Sequence, residues 1–271
     1  MNIQKILKKY ETHLEKTVTE KRGKIAIKNL EPLYSYTPRN VSKYIDNYVA
    51  TRQVSRGTIN RELAVLSAAL RWAFKRGDID FLPTIQRLPS PPPRSQFLTE
   101  AEVQRLLTAA KPYPEIHTFA QIAVMTGQRK EAILSLRWDQ IDFDTGLIDF
   151  NDQELPMAER RKNRGVVPMS ESLRSFLAGL DRDGPYVIHR NGKRVHDIRS
   201  DWNRVMEASK LSITPHILRH TVATHLARKN VPMIQISRLL GHKSTAITEK
   251  VYAKFSPDFC RDAVSNLNYC V

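Results

Sequence analysis

The sequence predicts a mainly α protein with a small antiparallel β-sheet. An all-helical N-terminal domain spans 1–87, a proline-rich linker spans 88–96, and an α+β domain spans 97–271. Three observations predict this. Apolar residues recur at helical spacing through most of the chain. Residues of β type with turns between them gather around 141–168, in "DQIDFDTGLIDFND" and "RGVVPMS". Finally, "LPSPPPRSQ" puts four prolines into the five positions from Pro89 to Pro93, the composition of an extended, semi-rigid spacer. At 271 residues the chain is long enough for two separate cores.

Taken in order, 3–16 and 40–53 read as helices. In "TINRELAVLSAALRWAFKRGD", Ile59, Leu63, Leu66, Leu70 and Phe74 share one face, Arg61, Arg71 and Lys75 stand among the polar positions, and Gly77 ends the helix. Beyond the linker, "FLTEAEVQRLLTAA" opens a helix with Thr99 as its cap and Glu102 three residues on, a capping box. Helical text continues to about Arg137, the short sheet follows, and helices resume from about Ser170 to the end. One of them begins in "TPHILRHTVATH", where Thr214 is placed to cap and Pro215 suits the first helical position. There is no internal repeat and no long low-complexity tract.

Charge narrows the function classes. The net charge is +15, with 17 basic against 8 acidic residues in 1–93 and 26 against 20 in 94–271. Both halves are basic, which points to a long polyanion touching both of them rather than to one local tail. The two cysteines, Cys260 and Cys270, make no zinc knuckle, no redox CxxC and no disulfide framework, so a reducing cytoplasm is expected. No apolar run approaches the length of a membrane span. The amphipathic start "MNIQKILKKYETHLEK" carries Glu11 and Glu15, which disfavour a transit peptide.

The helix start at 214–225 raises a chemical question, because it gathers His216, Arg219 and His220 on one face where the helix dipole is already positive. His216 and His220 have the spacing of metal ligands, but no Glu lies between them as in H-E-x-x-H and Arg219 repels a cation. An anion fits better: N–H groups at a helix N-terminus together with an arginine favour phosphate. Three further pieces complete the set. "TGQRKEAILSLRWDQIDF" offers Arg129 at a helix start, and "ERRKNRGVVPM" puts Lys162 in a β-turn that it shares with Arg160 and Arg161. "LLGHKSTAITEKVYAKF" offers His242 just after the Gly241 helix stop, with Tyr252 ten residues later.

With this spaced set, Arg … Lys … H-x-x-R … G-H … Tyr, the chain resembles the tyrosine recombinase (phage integrase) family over most of its length. The resemblance implies a DNA-clamping, core-binding domain before the linker and a catalytic domain after it. It also implies a site-specific DNA recombinase that cuts and rejoins strands through a covalent 3′-phosphotyrosine, for integration or excision of a mobile element. Arg129 and Arg219 then grip the non-bridging phosphate oxygens, Tyr252 is the nucleophile and His216 its general base, Lys162 protonates the departing 5′-oxygen, and His242 donates to the phosphate. The residue types suit those tasks: guanidiniums are forked donors that stay charged, and a free tyrosine, with a pKa near ~10, needs help to ionise at neutral pH. Such chemistry uses neither ATP nor Mg²⁺, and the chain has no G-x-x-x-x-G-K-[ST] loop, so no cofactor and no metal are expected. The implied partners are duplex DNA, three further copies in a homo-tetramer that exchanges C-terminal segments such as "SPDFCRDAVSNL", and accessory DNA-bending proteins; no membrane is implied, and a nucleoid-associated cytoplasmic location is. His220 and His225 are assigned structural places, and Tyr269 is a second tyrosine far from G-H. One departure stands out: the family commonly has Glu three residues after the first Arg, where this chain has Ala132, with Glu131 one place earlier. Two competing readings are a type IB topoisomerase and a non-catalytic DNA-binding regulator of the same fold.

Overall fold

Helices carry both halves of the chain. The computed structural model describes residues 1–15, 17, 20–89, 96–151, 165–242 and 244–255, and the chain divides into two units, Met1–Pro93 and Arg94–Val271. Lys162 with Arg160 and Arg161, linker residues 90–95, and the tail from 256 onward, including both cysteines and Tyr269, lie outside the described residues.

The first unit is built from α1 (Ile3–Leu14), α2 (Glu20–Asn29), α3 (Ile45–Thr51) and α4 (Arg56–Lys75), with 3₁₀ turns at Glu31–Leu33 and Val41–Tyr44. The side chain of Asn2 starts α1 by accepting from the Lys5 N–H at 3.0 Å. The helix expected at 40–53 is a 3₁₀ turn running into α3. Helix α2 has no counterpart in the sequence reading, because "EKRGKIAIKN" buries only Gly23, Ala26 and Ile27. It is held by close approach instead: a side chain at Gly23 would run into Leu14 of α1. On α4, Ser55 accepts from the Thr58 N–H, and Ile59, Leu63, Leu66 and Leu70 are buried as expected. The stripe then continues through Ala73, leaving Phe74 exposed. Steps of four and three average 3.5 residues, so the inward position after Leu70 falls at 73. Gly77, at φ +71, ends the run.

A buried carboxylate ties three of these helices together. Glu62 of α4, 2 % exposed, accepts at Oε1 from Asn29 Nδ2 (2.8 Å) and Arg52 Nη2 (2.6 Å), and at Oε2 from the Tyr48 hydroxyl (2.6 Å) and Arg52 Nε (3.2 Å). Burial raises its pKa, but the bonds from Arg52 and Tyr48 and the charge of Arg52 outweigh it, and the carboxyl ends below the usual glutamate value.

The second unit opens with α5 (Glu100–Ala110), whose capping box is formed: Thr99 Oγ1 accepts from the Glu102 N–H at 3.3 Å and Glu102 Oε2 from the Thr99 N–H at 2.8 Å. Then come α6 (Pro114–Thr126) and α7 (Lys130–Leu134). The sheet expected around 141–168 is present as β1 (Ile141–Asp142), β2 (Leu147–Asp149) and β3 (Val166–Pro168), antiparallel in that order. Its register sets Ile148 opposite Ile141 and Val167, so all three face the core. After α8 (Glu171–Ala178), the expectation of helices alone needs correction. A hairpin of β4 (His189–Arg190) and β5 (Lys193–Arg194) turns through Asn191–Gly192, both at positive φ. Two-residue strands have no alternation to read, and the N-G pair was the available signal. Among the described residues there follow α9 (Arg199–Ser209), α10 (Pro215–Arg228), α11 (Met233–Leu240) and α12 (Thr245–Tyr252), with a 3₁₀ turn at Ala253–Phe255. Beside the main core, Ala223 and Ala227 of α10, Ile236 and Leu240 of α11 and Tyr252 of α12 form a smaller apolar cluster. Among the described residues, no helix is long and apolar enough to cross a membrane.

Glu62→Ala removes the anion but leaves Arg52 and Tyr48 facing the gap, a loss expected to cost about 2–3 kcal/mol. Because the folded-state carboxyl is held low, its contribution is present at neutral pH and fades as the carboxyl protonates. Urea unfolding should therefore show the gap between wild type and Glu62→Ala narrowing below about pH 4.

Candidate active site

Two helices end side by side and a third supplies the cation that joins them. Gly127 (φ +65) terminates α6 and Gly241 (φ +62) terminates α11 in the left-handed conformation. Arg219 of α10, 4 % exposed, donates from Nη1 to the Gly127 carbonyl at 3.1 Å and from Nη2 to the Leu240 carbonyl at 2.5 Å. A guanidinium thus satisfies carbonyls that two helix C-termini would otherwise leave unpaired, at the negative ends of both dipoles. Gln128, also buried, adds a second tie by donating from Nε2 to the Leu239 carbonyl at 2.6 Å. No side chain fits at Gly127: its φ is strained for other residues, and a Cβ would lie 2.9 Å from Leu240 Cδ2.

Helix α10 starts as expected at Pro215 with Thr214 in an extended conformation, but the Thr214 side chain makes no capping hydrogen bond. Its carbonyl takes the Ile217 N–H at 2.9 Å instead. Along one side of the helix, His216 and His220 meet edge to face, ring centres 4.9 Å apart at 88°. His220 Nδ1 lies 2.6 Å from the Tyr252 hydroxyl. Tyr252, at the end of α12, is 3 % exposed, with its ring in the small apolar cluster and its hydroxyl on the charged side. Burial pushes its pKa up to about 12, against the opposing pull of the Arg219 charge.

His242 follows Gly241 directly. Its backbone N–H donates to the Ser237 carbonyl at 3.0 Å, and its Nδ1 pairs with Thr248 Oγ1 of α12 at 2.8 Å, which links the α11–α12 turn to the helix bearing Tyr252. Burial, followed by the charges of Arg219, Arg129, His220 and His216, pushes the His242 pKa down to about 4. Arg129 sits at the N-cap of α7, and after burial its charge is the next cause that lowers Arg219, to about 9. Arg129, His216, Arg219, His242 and Tyr252 therefore act on one another in one place, on loops and helix ends drawn from α7, α10, α11 and α12. Lys162 belongs to the residues not described.

One sequence assignment changes meaning here. His220, read as structural, holds the hydroxyl of the expected nucleophile, and its spacing of four from His216 was the signal that it shared the site face. His225 is structural: its Nε2 pairs with the Leu98 carbonyl at 2.8 Å. Ala132, at the position where an acid is common, is buried in the core, while Glu131 pairs with Lys130 (3.2 Å) and Arg194 (3.8 Å).

An arginine whose hydrogen bonds go to carbonyls, beside a second arginine, three histidines and a tyrosine hydroxyl, suits an anionic reactant attacked by that hydroxyl. Comparison with known proteins gives the class. Residues 96–258 match the phage integrase family, and the chain belongs to that family, the tyrosine recombinases. It is thereby a tyrosine-type site-specific recombinase. Among its relatives, the tyrosine recombinase XerA of Thermococcus kodakarensis is 30% identical over 221 residues, covering 76% of this chain and 75% of the relative. The fold is shared with the Tn1549 transposon integrase solved with transposon right-end DNA (TM-score 0.80, 19% identity, 99% of this chain and 100% of that one). It is shared also with the lambda integrase tetramer solved on a Holliday junction (TM-score 0.74, 20% identity, 94% and 78%).

With its pKa near 4, His242 should remain neutral well below the usual histidine range. Its ring resonances in NMR should not titrate between pH 7 and about 5, whereas an exposed histidine passes its midpoint near ~6.5. The unfolded chain takes up that proton first, so this residue makes the fold less stable as pH falls from about 6.5 towards 4.

Proposed function

We propose that the protein cuts and rejoins duplex DNA at specific sites through a covalent 3′-phosphotyrosine on Tyr252, in the integration or excision of a mobile element. The observation that carries this is the position of Tyr252: its hydroxyl is held at 2.6 Å by a histidine of α10, the helix that also supplies Arg219. In this mechanism the Tyr252 oxygen attacks a backbone phosphorus while a histidine of α10 takes its proton. Negative charge grows on the non-bridging oxygens, where Arg129 and Arg219 are donors with fixed geometry. His242, neutral and tied at Nδ1, offers Nε2 to the phosphate. The P–O5′ bond breaks as the O–P bond to Tyr252 forms, and Lys162 gives the leaving 5′-oxygen its proton. A 5′-hydroxyl from a second duplex then reverses each step and frees Tyr252. The ester bond conserves the energy of the diester, so no nucleotide is consumed.

We assign 1–87 to clamping the DNA, 97–271 to catalysis and the stretch from 88 to 96 to linking them. Four copies joining two duplexes by exchange of C-terminal segments, with DNA-bending proteins at some sites, make the assembly. The basic charge of both halves supports a partner that spans them. Exchange between two duplexes, rather than relaxation of one supercoiled duplex, separates this reading from a topoisomerase, and a denaturation-resistant adduct separates it from a regulator that only binds.

Nicked duplexes tiled across the DNA flanking the gene provide the test, with adducts read on denaturing gels. Tyr252→Phe should abolish the adduct and leave binding intact, since one oxygen and no charge is lost; an adduct in that variant would move the nucleophile elsewhere. Arg129→Ala and Arg219→Ala should each slow cleavage by about 10²–10³, far more than they weaken binding, because each removes a donor to the developing oxyanion. Equal losses in both would make them ordinary backbone contacts. Lys162→Ala should fail on a normal phosphodiester yet recover on a bridging 5′-phosphorothiolate, whose sulfur departs without a proton, while Arg129→Ala should not recover. Failure on both substrates would pass the role to Arg160 or Arg161.

A further inference from the structure

We infer that the base that takes the proton of Tyr252 is His220, not His216, and that His220 returns it when the strand is resealed. This rests on the recombinase reading and refines one step of it. The geometry is direct. Of the two histidines on this face of α10, His220 has its Nδ1 2.6 Å from the Tyr252 oxygen, the span of a good O–H···N bond. His216 stands one helical turn earlier, with its ring against the ring of His220. Position also separates the pair: His216 is exposed at the helix start, whereas His220 is half-buried beside the apolar cluster that holds the Tyr252 ring. A residue at the open end of α10 is placed to meet phosphate arriving from solvent; one between that residue and the nucleophile is placed to exchange a proton with it.

Neighbouring contacts fix the arrangement. Arg219, adjacent in sequence, is pinned to two helix ends, so α10 has little freedom to rotate about its axis. Tyr252 is fixed from the other side, because Thr248, one turn before it on α12, pairs with His242. For Nδ1 to accept from the hydroxyl, the neutral ring must carry its hydrogen on Nε2. On attack, the Tyr252 O–H bond breaks and an Nδ1–H bond forms on His220, leaving an imidazolium, while the Tyr252 oxygen bonds to phosphorus and the 5′-oxygen leaves with a proton from Lys162. On resealing, the incoming 5′-hydroxyl gives its proton back to Lys162 as its oxygen bonds to phosphorus, the Tyr252–phosphorus bond breaks, and the Nδ1 proton goes back to the phenolate oxygen, so His220 ends neutral. The need for such a partner is set by burial: a phenol raised to about 12 does not shed its proton to water at neutral pH.

The test uses the full chain, the same nicked duplexes tiled across the DNA flanking the gene, and the 5′-phosphorothiolate version of whichever duplex reacts. On that substrate the leaving group needs no acid, so rates report activation of the nucleophile. His220→Ala should slow adduct formation by about 10²-fold or more with DNA binding within about threefold of wild type. Added imidazole should restore much of the rate, and substituted imidazoles should rescue in order of basicity, which a packing defect would not produce. His220→Asn keeps a small polar side chain near the hydroxyl but takes no proton at neutral pH. It should be as slow as the Ala variant while melting like wild type, so loss of activity is not read as loss of fold. His216→Ala should lose rate through a phosphate contact and gain nothing from imidazole. Cleavage by His220→Ala or His220→Asn within about threefold of wild type overturns the assignment. So does imidazole rescue of His216→Ala without rescue of His220→Ala. If wild type itself forms no adduct on any duplex, the recombinase reading falls and this step falls with it.

Discussion

The site depends on one guanidinium lodged between the C-terminal ends of two helices. Arg219 reaches the carbonyls of Gly127 and Leu240, each within one residue of a left-handed glycine that stops its helix. Those glycines explain the motifs around them. "TGQR" ends α6 so that its last carbonyls turn towards α10 and Arg129 caps the start of the next helix; "LLGH" ends α11 in the same way and delivers His242. An arginine has five N–H donors in a planar fork, and two bonds to carbonyls leave others for a phosphate. In the proposed reaction the same side chain holds the scaffold and grips the phosphate, which would place the reactant relative to the helix ends.

Electrostatics follow from that placement. Burial and the neighbouring Arg129 charge bring Arg219 down to about 9, and the same charges help to hold His242 near 4. Cations gathered this way disfavour one another until an anion comes among them, and a phosphodiester is such an anion. Tyr252, the group that becomes anionic in the proposed reaction, has its pKa pushed up to about 12 by burial in its apolar cluster. The proposed reaction therefore starts from no ready phenolate and couples loss of the tyrosine proton to arrival of the phosphate and to a base within reach.

Much of this was legible in the sequence because it depends on residues with narrow physical roles. Glycines that end helices, Pro215 at a first turn, a Thr-x-x-Glu box and forked arginines near a tyrosine each have few alternatives. What was not legible depends on partners distant in the chain. Helix α2 is stabilised by a close approach at Gly23, which no apolar stripe announces. The β4–β5 hairpin is too short for alternation. Thr214 had the right type for a capping bond and does not make one, since the Ile217 N–H goes to its backbone carbonyl. His220 looked like its neighbours until α12 brought Tyr252 to it. Periodicity orders residues along a helix, but which turn of that helix another element meets is decided by packing.

The two buried charges among the described residues are answered in different ways. Glu62 and Arg219 each tie elements distant in sequence, and each is nearly removed from water. Around Glu62 the ligands are an arginine, a tyrosine and an asparagine, so the charge is answered, its ionised form is favoured in spite of burial, and the network is closed. Around Arg219 the ligands are neutral carbonyls, and burial and then the charge of Arg129 disfavour its ionised form. Carbonyl dipoles orient the guanidinium without cancelling its charge. A carboxylate in their place would make the fold more self-sufficient and would compete with the phosphate for the same donors, and the carbonyls leave that demand to be met by the reactant.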